Sequence, residues 1–138
     1  MRLRNVPTRL ATGAYILHTG WEKWHADEDR AAAVHGTAAS AFPVLNSMKS
    51  TDFLTTLSVG ELALGAALLT PFVPAALAGA ALTGFSGALV TMYLRTDGLH
   101  KPGSVWPTPQ GIGVSKDVWM LGIGLGLMAD GLRRGRDD

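Results

Sequence analysis

The sequence predicts an all-α integral membrane protein, with its 138 residues forming a single membrane domain folded as a four-helix bundle. Charged residues make up only 17% of the chain, whereas ~25% is usual in a soluble domain. No charged side chain occurs between Leu62 and Leu94, and two prolines divide this apolar run near its middle. A long run without a polar face is typical of helices that contact lipid.

The two central spans are predicted on either side of a turn from Pro71 to Pro74. As one straight helix, the uncharged run would be about 50 Å long, well beyond a ~30 Å hydrocarbon core. Each proline removes a backbone donor and disfavours helix in the residue before it. We therefore expect two membrane-length spans, at about residues 51–70 and 75–94.

Two further spans are predicted near the ends of the chain, at about residues 6–24 and 112–132. A cleaved signal peptide is the alternative for the first. However, its apolar run is broken by Thr12, Gly13 and His18, and no small-x-small cleavage site follows. The last span contains VWMLGIGLGLMADGL and is followed by arginines. The bundle is therefore predicted to have four spans.

A short interfacial helix is predicted between the first and second spans. The segment from Asp27 to Leu45 is rich in alanine and begins with acidic residues, which suit the positive end of a helix dipole. We expect Val34, Phe42 and Leu45 to contact lipid or the mouth of the bundle.

Arginines at both ends of the chain predict its orientation. Arg2, Arg4 and Arg9 precede or begin the first span, and Arg133, Arg134 and Arg136 follow the last. By the positive-inside rule, both termini are cytoplasmic and the protein is a multi-pass protein of the cell membrane. Asp130 is spaced to neutralise Arg133 and Arg134 on its own helix.

Composition also excludes several functions. The chain has no cysteine, so it has no disulfide, thiolate metal site or cysteine nucleophile of its own. Its twelve Lys and Arg are balanced by eleven Asp and Glu, which leaves no basic surface for nucleic acid. No metal site is predicted, because the helix face of His18, Glu22 and His25 supplies too few ligands. The expected partner is the lipid bilayer.

Small residues are spaced for close helix packing. Gly122 and Gly126 form a GxxxG pattern with Gly124 between them, and Ala80, Gly84 and Ala88 follow one another at four-residue spacing. Such faces let helix backbones approach in lipid. We expect packing within the bundle, with a homo-oligomer interface as the alternative.

Ionisable residues within the spans are the candidate catalytic residues. Glu61 and His18 are both predicted near the middle of the membrane, where a charge costs roughly 2.5 kcal/mol or more. Because the first two spans are antiparallel, we expect the imidazole of His18 to meet the carboxyl of Glu61. They would then either relay a proton or hold two helices in register.

A second polar group is predicted at the outer ends of the helices. Glu22, Lys23, Arg95, Lys116 and Asp117, with Trp119 nearby, are expected to form the rim of an outward cavity. Such a rim suits a polar headgroup or a quinone-like carbonyl, and interfacial salt bridges are the alternative.

Three sequence segments resemble the DoxX-like family of small four-helix membrane proteins. They are Arg9-Leu10 followed by Gly13, the stretch HTGWEKW from His18 to Trp24, and GELALG around Glu61. The resemblance implies a redox-associated membrane subunit, similar to the small subunit of thiosulfate:quinone oxidoreductase, which would either bind a quinone as cofactor or anchor a redox enzyme as partner. Without cysteine, such a subunit would have no thiol chemistry of its own.

Two functional hypotheses follow. In one, the bundle lies close to a quinone or lipid whose protons His18 and Glu61 handle. In the other, the protein is a structural anchor or assembly subunit of a larger complex. Whether the protein is an enzyme is left open by the sequence.

Overall fold

The structure, a computed structural model, describes residues 1–137, with side chains up to Arg133. This part of the chain is helical and contains no β-strand, as the sequence predicts. The helices are α1 (Val6–Trp24), α2 (Glu28–Ala41), α3 (Ser50–Leu69), α4 (Ala75–Arg95), α5 (Ile112–Ser115) and α6 (Asp117–Asp137), with 3-10 turns at Leu3–Asn5 and Pro43–Ser47.

Proline and capping residues set several helix boundaries. The predicted break is confirmed, because α3 ends at Leu69 and Pro74 is the N-cap of α4. The predicted helix between the first two spans is also confirmed as α2. The carboxylate of Asp27 caps it by accepting from the Arg30 N–H at 2.9 Å. The helix expected from residue 112 is interrupted, since a single turn, α5, precedes the start of α6 at Asp117.

Three helical segments are long and apolar enough to cross a membrane: Ser50–Leu69, Ala75–Arg95 and Ile112–Arg133. These segments indicate a membrane protein whose apolar helices contact the lipid bilayer. α1 is not among them, and its 19 residues include Arg9, Glu22 and Lys23.

The four long helices form two antiparallel pairs, α1 with α3 and α4 with α6. Glycine allows the backbones of each pair to approach closely. A Cβ added to Gly65 would lie 2.8 Å from the Leu17 nitrogen across the α1–α3 contact. One added to Gly79 would lie 2.6 Å from the Met128 nitrogen across the α4–α6 contact.

The predicted role of the GxxxG pattern within the bundle is wrong. A Cβ added to Gly122 or Gly126 would meet no atom within 4 Å, and the same holds for Gly84 on α4. Gly124, which lies between the two glycines of the pattern, makes the close contact instead, because its side of α6 faces α4.

One apolar cluster joins the two pairs toward the Pro71 end of the molecule. It consists of Ile16, Leu64, Leu68, Ala78, Leu82 and Leu127. α2 lies across α3 and α4 toward the other end. There the two pairs enclose a pocket rather than a packed core.

The predicted pairing of Asp130 with Arg133 is wrong, because Asp130 pairs with the start of the chain instead. Asp130 accepts from Arg2 at 3.1 Å, from Asn5 at 2.7 Å and from Arg4. These bonds tie the first turn of the chain to α6. The side chain of Arg133 is exposed, and that of Arg134 lies outside the described residues.

Candidate functional site

The pocket between the two helix pairs has a volume of about 500 Å³ and is lined by residues of all four long helices. Its walls are mainly apolar, formed by Ile16, Leu57, Phe85, Leu89, Met92 and Met120. α2 and the turn that follows it cover the pocket with Val34, Thr37, Ala38, Phe42 and Leu45. The predicted placement of Val34, Phe42 and Leu45 at the mouth of the bundle is thus confirmed.

Polar side chains from α1, α3 and α6 also line this apolar pocket. The Lys23 ammonium donates to Glu61 Oε2 at 2.9 Å, and the Thr19 hydroxyl lies 3.1 Å from the same oxygen. The side chains of Lys23 and Glu61 are only 17% and 6% exposed. Glu61 therefore forms a buried ion pair, which the pocket borders.

The local sequence explains why these groups meet. Thr19 and Lys23 are four residues apart on α1, so both face α3. The Ser58 hydroxyl, one turn before Glu61, donates to the Gly20 carbonyl at 2.7 Å. A Cβ on Gly20 would lie 3.0 Å from the Glu61 Cβ, so glycine there allows the close approach. The register of α1 against α3 is fixed beside the ion pair.

Asp117 is the third charged group that lines the pocket. It lies in the first turn of α6, where the helix dipole favours a carboxylate. Its carboxyl is within electrostatic range of both Glu61 and Lys23. Among the side chains that the structure describes, none forms an ion pair with Asp117.

The predicted contact between His18 and Glu61 is wrong. The side chain of His18 is 67% exposed, and its Nε2 lies 3.6 Å from the exposed Glu22 carboxylate. Successive helical residues are rotated by about 100°, so His18 lies on a different face from Thr19, its neighbour in the chain. Lys23 and Thr19 take the place beside Glu61 that was expected for the imidazole.

The structure brings only part of the predicted rim to the pocket. Lys23 and Asp117 line it, whereas Glu22, Lys116 and Trp119 are exposed elsewhere. Glu22 lies 3.8 Å from Arg30. Arg95 does not line the pocket but lies against Phe42, which does, with its guanidinium carbon 5.5 Å from the centre of the Phe42 ring.

Sequence reasoning missed Thr19 and the aromatic lining of the pocket. Thr19 was detectable, because its spacing of four from Lys23 places both on one helix face. Phe53 and Phe85 gave no signal, since a phenylalanine in an apolar span reads as an ordinary lipid or core contact. Among the side chains of residues 1–133, no group of three or more His, Cys, Asp or Glu could hold a metal ion.

A scan against family models, a search of curated proteins and a search of solved structures each found no match to the chain. Inferences about function therefore start from the geometry of the pocket.

Proposed function

We propose that this protein is a DoxX-like, multi-pass protein of the cell membrane whose central pocket binds one membrane-soluble amphipathic molecule, of the quinone or lipid class. The observation that carries the proposal is the apolar pocket of about 500 Å³ with a buried Lys23–Glu61 pair in its lining. Binding sites for small molecules are typically apolar cavities with a few convergent polar groups.

The packing of α1 supports a fourth span. Arg9 of α1 bonds to the last turn of α3, and Lys23 bonds to Glu61 further along, so α1 runs antiparallel along α3. A bilayer crossed by α3 would also be crossed by α1. The charges of α1 fit this arrangement because Arg9 and Lys23 both have partners within the protein. Four spans place both termini on one side, which the arginine distribution assigns to the cytoplasm.

The pocket suits an amphipathic molecule because its lining has an apolar part and a polar part, which would contact the two ends of such a molecule. The apolar walls accept a ring or an alkyl chain. The Lys23 ammonium has three N–H groups and uses one of them in the hydrogen bond to Glu61. The others are available to donate to a ligand carbonyl. The carboxyls of Glu61 and Asp117 accept hydrogen bonds and can exchange protons with the ligand. A redox role would depend on a partner enzyme.

A structural role is the second candidate function. The bonds from Thr19 and Lys23 to Glu61, and from Ser58 to Gly20, hold α1 and α3 in register. In this interpretation, the protein anchors or assembles a larger complex. Exposed His18 takes no part in the register contact.

Extraction of bound molecules from the purified protein tests the proposed function. Leu89 lines the pocket, and Leu77 lies on the same helix with 63% of its surface exposed. We expect organic extracts of the wild type and of Leu77→Trp to contain about one amphipathic molecule per chain, and extracts of Leu89→Trp to contain little. Melting temperatures verify that both variants are folded. Equal recovery from a folded Leu89→Trp variant would contradict the proposal and favour the structural role.

A further inference from the structure

We infer that the molecule in this pocket carries a positive charge on its polar end, so that the pocket selects amphipathic cations such as alkyl or aryl ammonium and phosphonium compounds. This inference rests on the proposed function and narrows its ligand class. It arises from an imbalance of charge among the residues that line the pocket.

The pocket lining has one more carboxylate than it has cations. Among the described side chains, Lys23 is the only cation in the lining, and its ammonium is already paired with Glu61 at 2.9 Å. Asp117 lines the same pocket and has no ion-pair partner among the described side chains. With these three groups ionised, the pocket has a net charge of −1.

Two positive side chains close to lining residues, those of Arg95 and Lys116, do not pair with Asp117. Arg95 lies over Phe42 and is outside the lining. The nearest charged neighbour of Asp117 in the chain is Lys116, whose side chain is exposed. The described side chains therefore leave the surplus charge of Asp117 uncompensated beside apolar walls.

An occupant with a cationic head would supply the missing counter-charge. A carboxylate without a partner in an apolar environment is unfavourable, and a cation within a few ångströms offsets that penalty. A neutral quinone offers only acceptors to Asp117, and an anion would be repelled by it. The attraction between opposite charges therefore favours a cation over a neutral molecule or an anion, and we expect the discrimination to reach about tenfold or more.

Aromatic rings in the lining support a cationic occupant independently. Phe42, Phe53, Phe85 and Tyr15 all border the pocket. The face of an aromatic ring attracts cations, and clusters of aromatic rings bind quaternary ammonium groups. Phe42 already has a cation, Arg95, over its ring. The lining therefore offers both a counter-charge and aromatic surfaces to a bulky organic cation.

Two probes of similar size and opposite charge test the inference. Tetraphenylphosphonium and tetraphenylborate are titrated into the full-length protein after extensive washing in neutral detergent has removed bound molecules, with protein-free micelles as blanks and a neutral decyl-benzoquinone as a third probe. We expect the cation to bind at one site about tenfold or more tightly than the anion and the quinone. Asp117→Asn should weaken binding of the cation about tenfold, because it removes the surplus charge while preserving the shape of the side chain.

Asp52→Asn is the matched control. Asp52 also lies in the first turn of a long helix, but it is exposed and does not line the pocket. This variant should bind the cation as the wild type does. Leu89→Trp, which fills the pocket, should abolish binding and provides a second readout if Asp117→Asn does not fold.

The outcomes separate this inference from the proposed function. Equal or tighter binding of the anion, or of the quinone, overturns the cation preference while leaving the pocket as a binding site. Undiminished cation binding in a folded Asp117→Asn overturns the assignment of the charge to Asp117. Cation binding that survives in a folded Leu89→Trp overturns the assignment of the cation to this pocket. If none of the three probes binds the wild type, the inference fails, whereas the proposed function, which also covers lipids, is tested separately by the organic extracts.

Discussion

At the scale of single residues, Arg9 is a buried cation with only 1% of its surface exposed. Its guanidinium donates to four carbonyls at the end of α3 and in the turn after it: Leu68 at 2.7 Å, Ala67 and Thr70 at 2.9 Å, and Val73 at 3.0 Å. The last carbonyls of a helix have no intrahelical partner, and a cation there also interacts favourably with the helix dipole. Arg9 thus stabilises the turn between α3 and α4.

We predict that Arg9→Lys lowers the free energy of unfolding by about 2–4 kcal/mol, because an ammonium cannot reproduce the planar fork and leaves buried carbonyls without donors. Thermal denaturation in detergent measures the effect. Arg30→Lys, at an exposed position, is the control and should stay within about 0.5 kcal/mol of the wild type. Equal stability of the two variants would show that the guanidinium geometry is unimportant.

The buried ion pair leads to a second prediction. Lys23→Met or Glu61→Leu alone should destabilise the protein by about 3–5 kcal/mol, because each leaves a buried charge without its partner. The double variant should be far closer to the wild type, since apolar residues of similar volume can replace a buried pair. Chemical denaturation of the four proteins measures the coupling. Additive losses would show that the two side chains act independently.

The sequence indicates which residues are unusual, but it does not identify their partners. Glu61 stood out because it interrupts an apolar helix, and its burial follows from that position. Its partner depends on the rotation of α1 about its own axis. Thr19 and His18 are adjacent in the chain, yet only Thr19 lies on the face that meets Glu61. The sequence places Arg9 at the start of the first span, among the arginines that predict the orientation, but it cannot show that the end of another helix lies against it.

At the scale of helices, glycine contacts determine how α4 packs against α6. A Cβ on Gly124 would lie 2.6 Å from the Thr83 hydroxyl and 2.8 Å from its backbone nitrogen. Gly122, two residues earlier, faces open space. The two positions share a helix and a residue type, so they form a matched pair.

We predict that Gly124→Ala lowers the free energy of unfolding by about 1–3 kcal/mol, because the added methyl group must push α4 and α6 apart. Gly122→Ala should be neutral or stabilise by up to ~1 kcal/mol, since alanine favours helix over glycine. Denaturation in detergent distinguishes the two. Loss of stability in Gly122→Ala would instead indicate that its face packs against another chain.

Helix positions were more predictable from sequence than helix partners. Pro71 and Pro74 act on their own backbone, so the break between α3 and α4 follows from local chemistry. The pairing of α4 with α6 depends on Gly79 and Gly124, yet glycine and alanine occur on several faces of both helices. The GxxxG spacing therefore predicted the wrong face.

At the scale of the whole molecule, internal charge pairing allows a helix with charged residues to lie along an apolar one. Arg9 bonds to carbonyls of α3 and Lys23 to Glu61, so both cations of α1 have partners on the helix beside it. By length and composition alone, α1 is not among the helices that are apolar enough to cross a membrane. The charges of α1 are compensated by contacts with α3, which lies far from α1 in the sequence. Whether α1 crosses the membrane is therefore tested by experiment.

Single introduced cysteines test the four-span topology, because the chain has none of its own. Leu3, Phe72 and Val105 are 89%, 90% and 66% exposed, at the first turn of the chain, the proline turn and the loop after α4. With four spans and cytoplasmic termini, a membrane-impermeant maleimide applied to intact cells should label Val105→Cys alone, and permeabilised cells should allow all three to react. If α1 stays outside the bilayer, Leu3→Cys would be labelled in intact cells together with Val105→Cys, while Phe72→Cys remained protected.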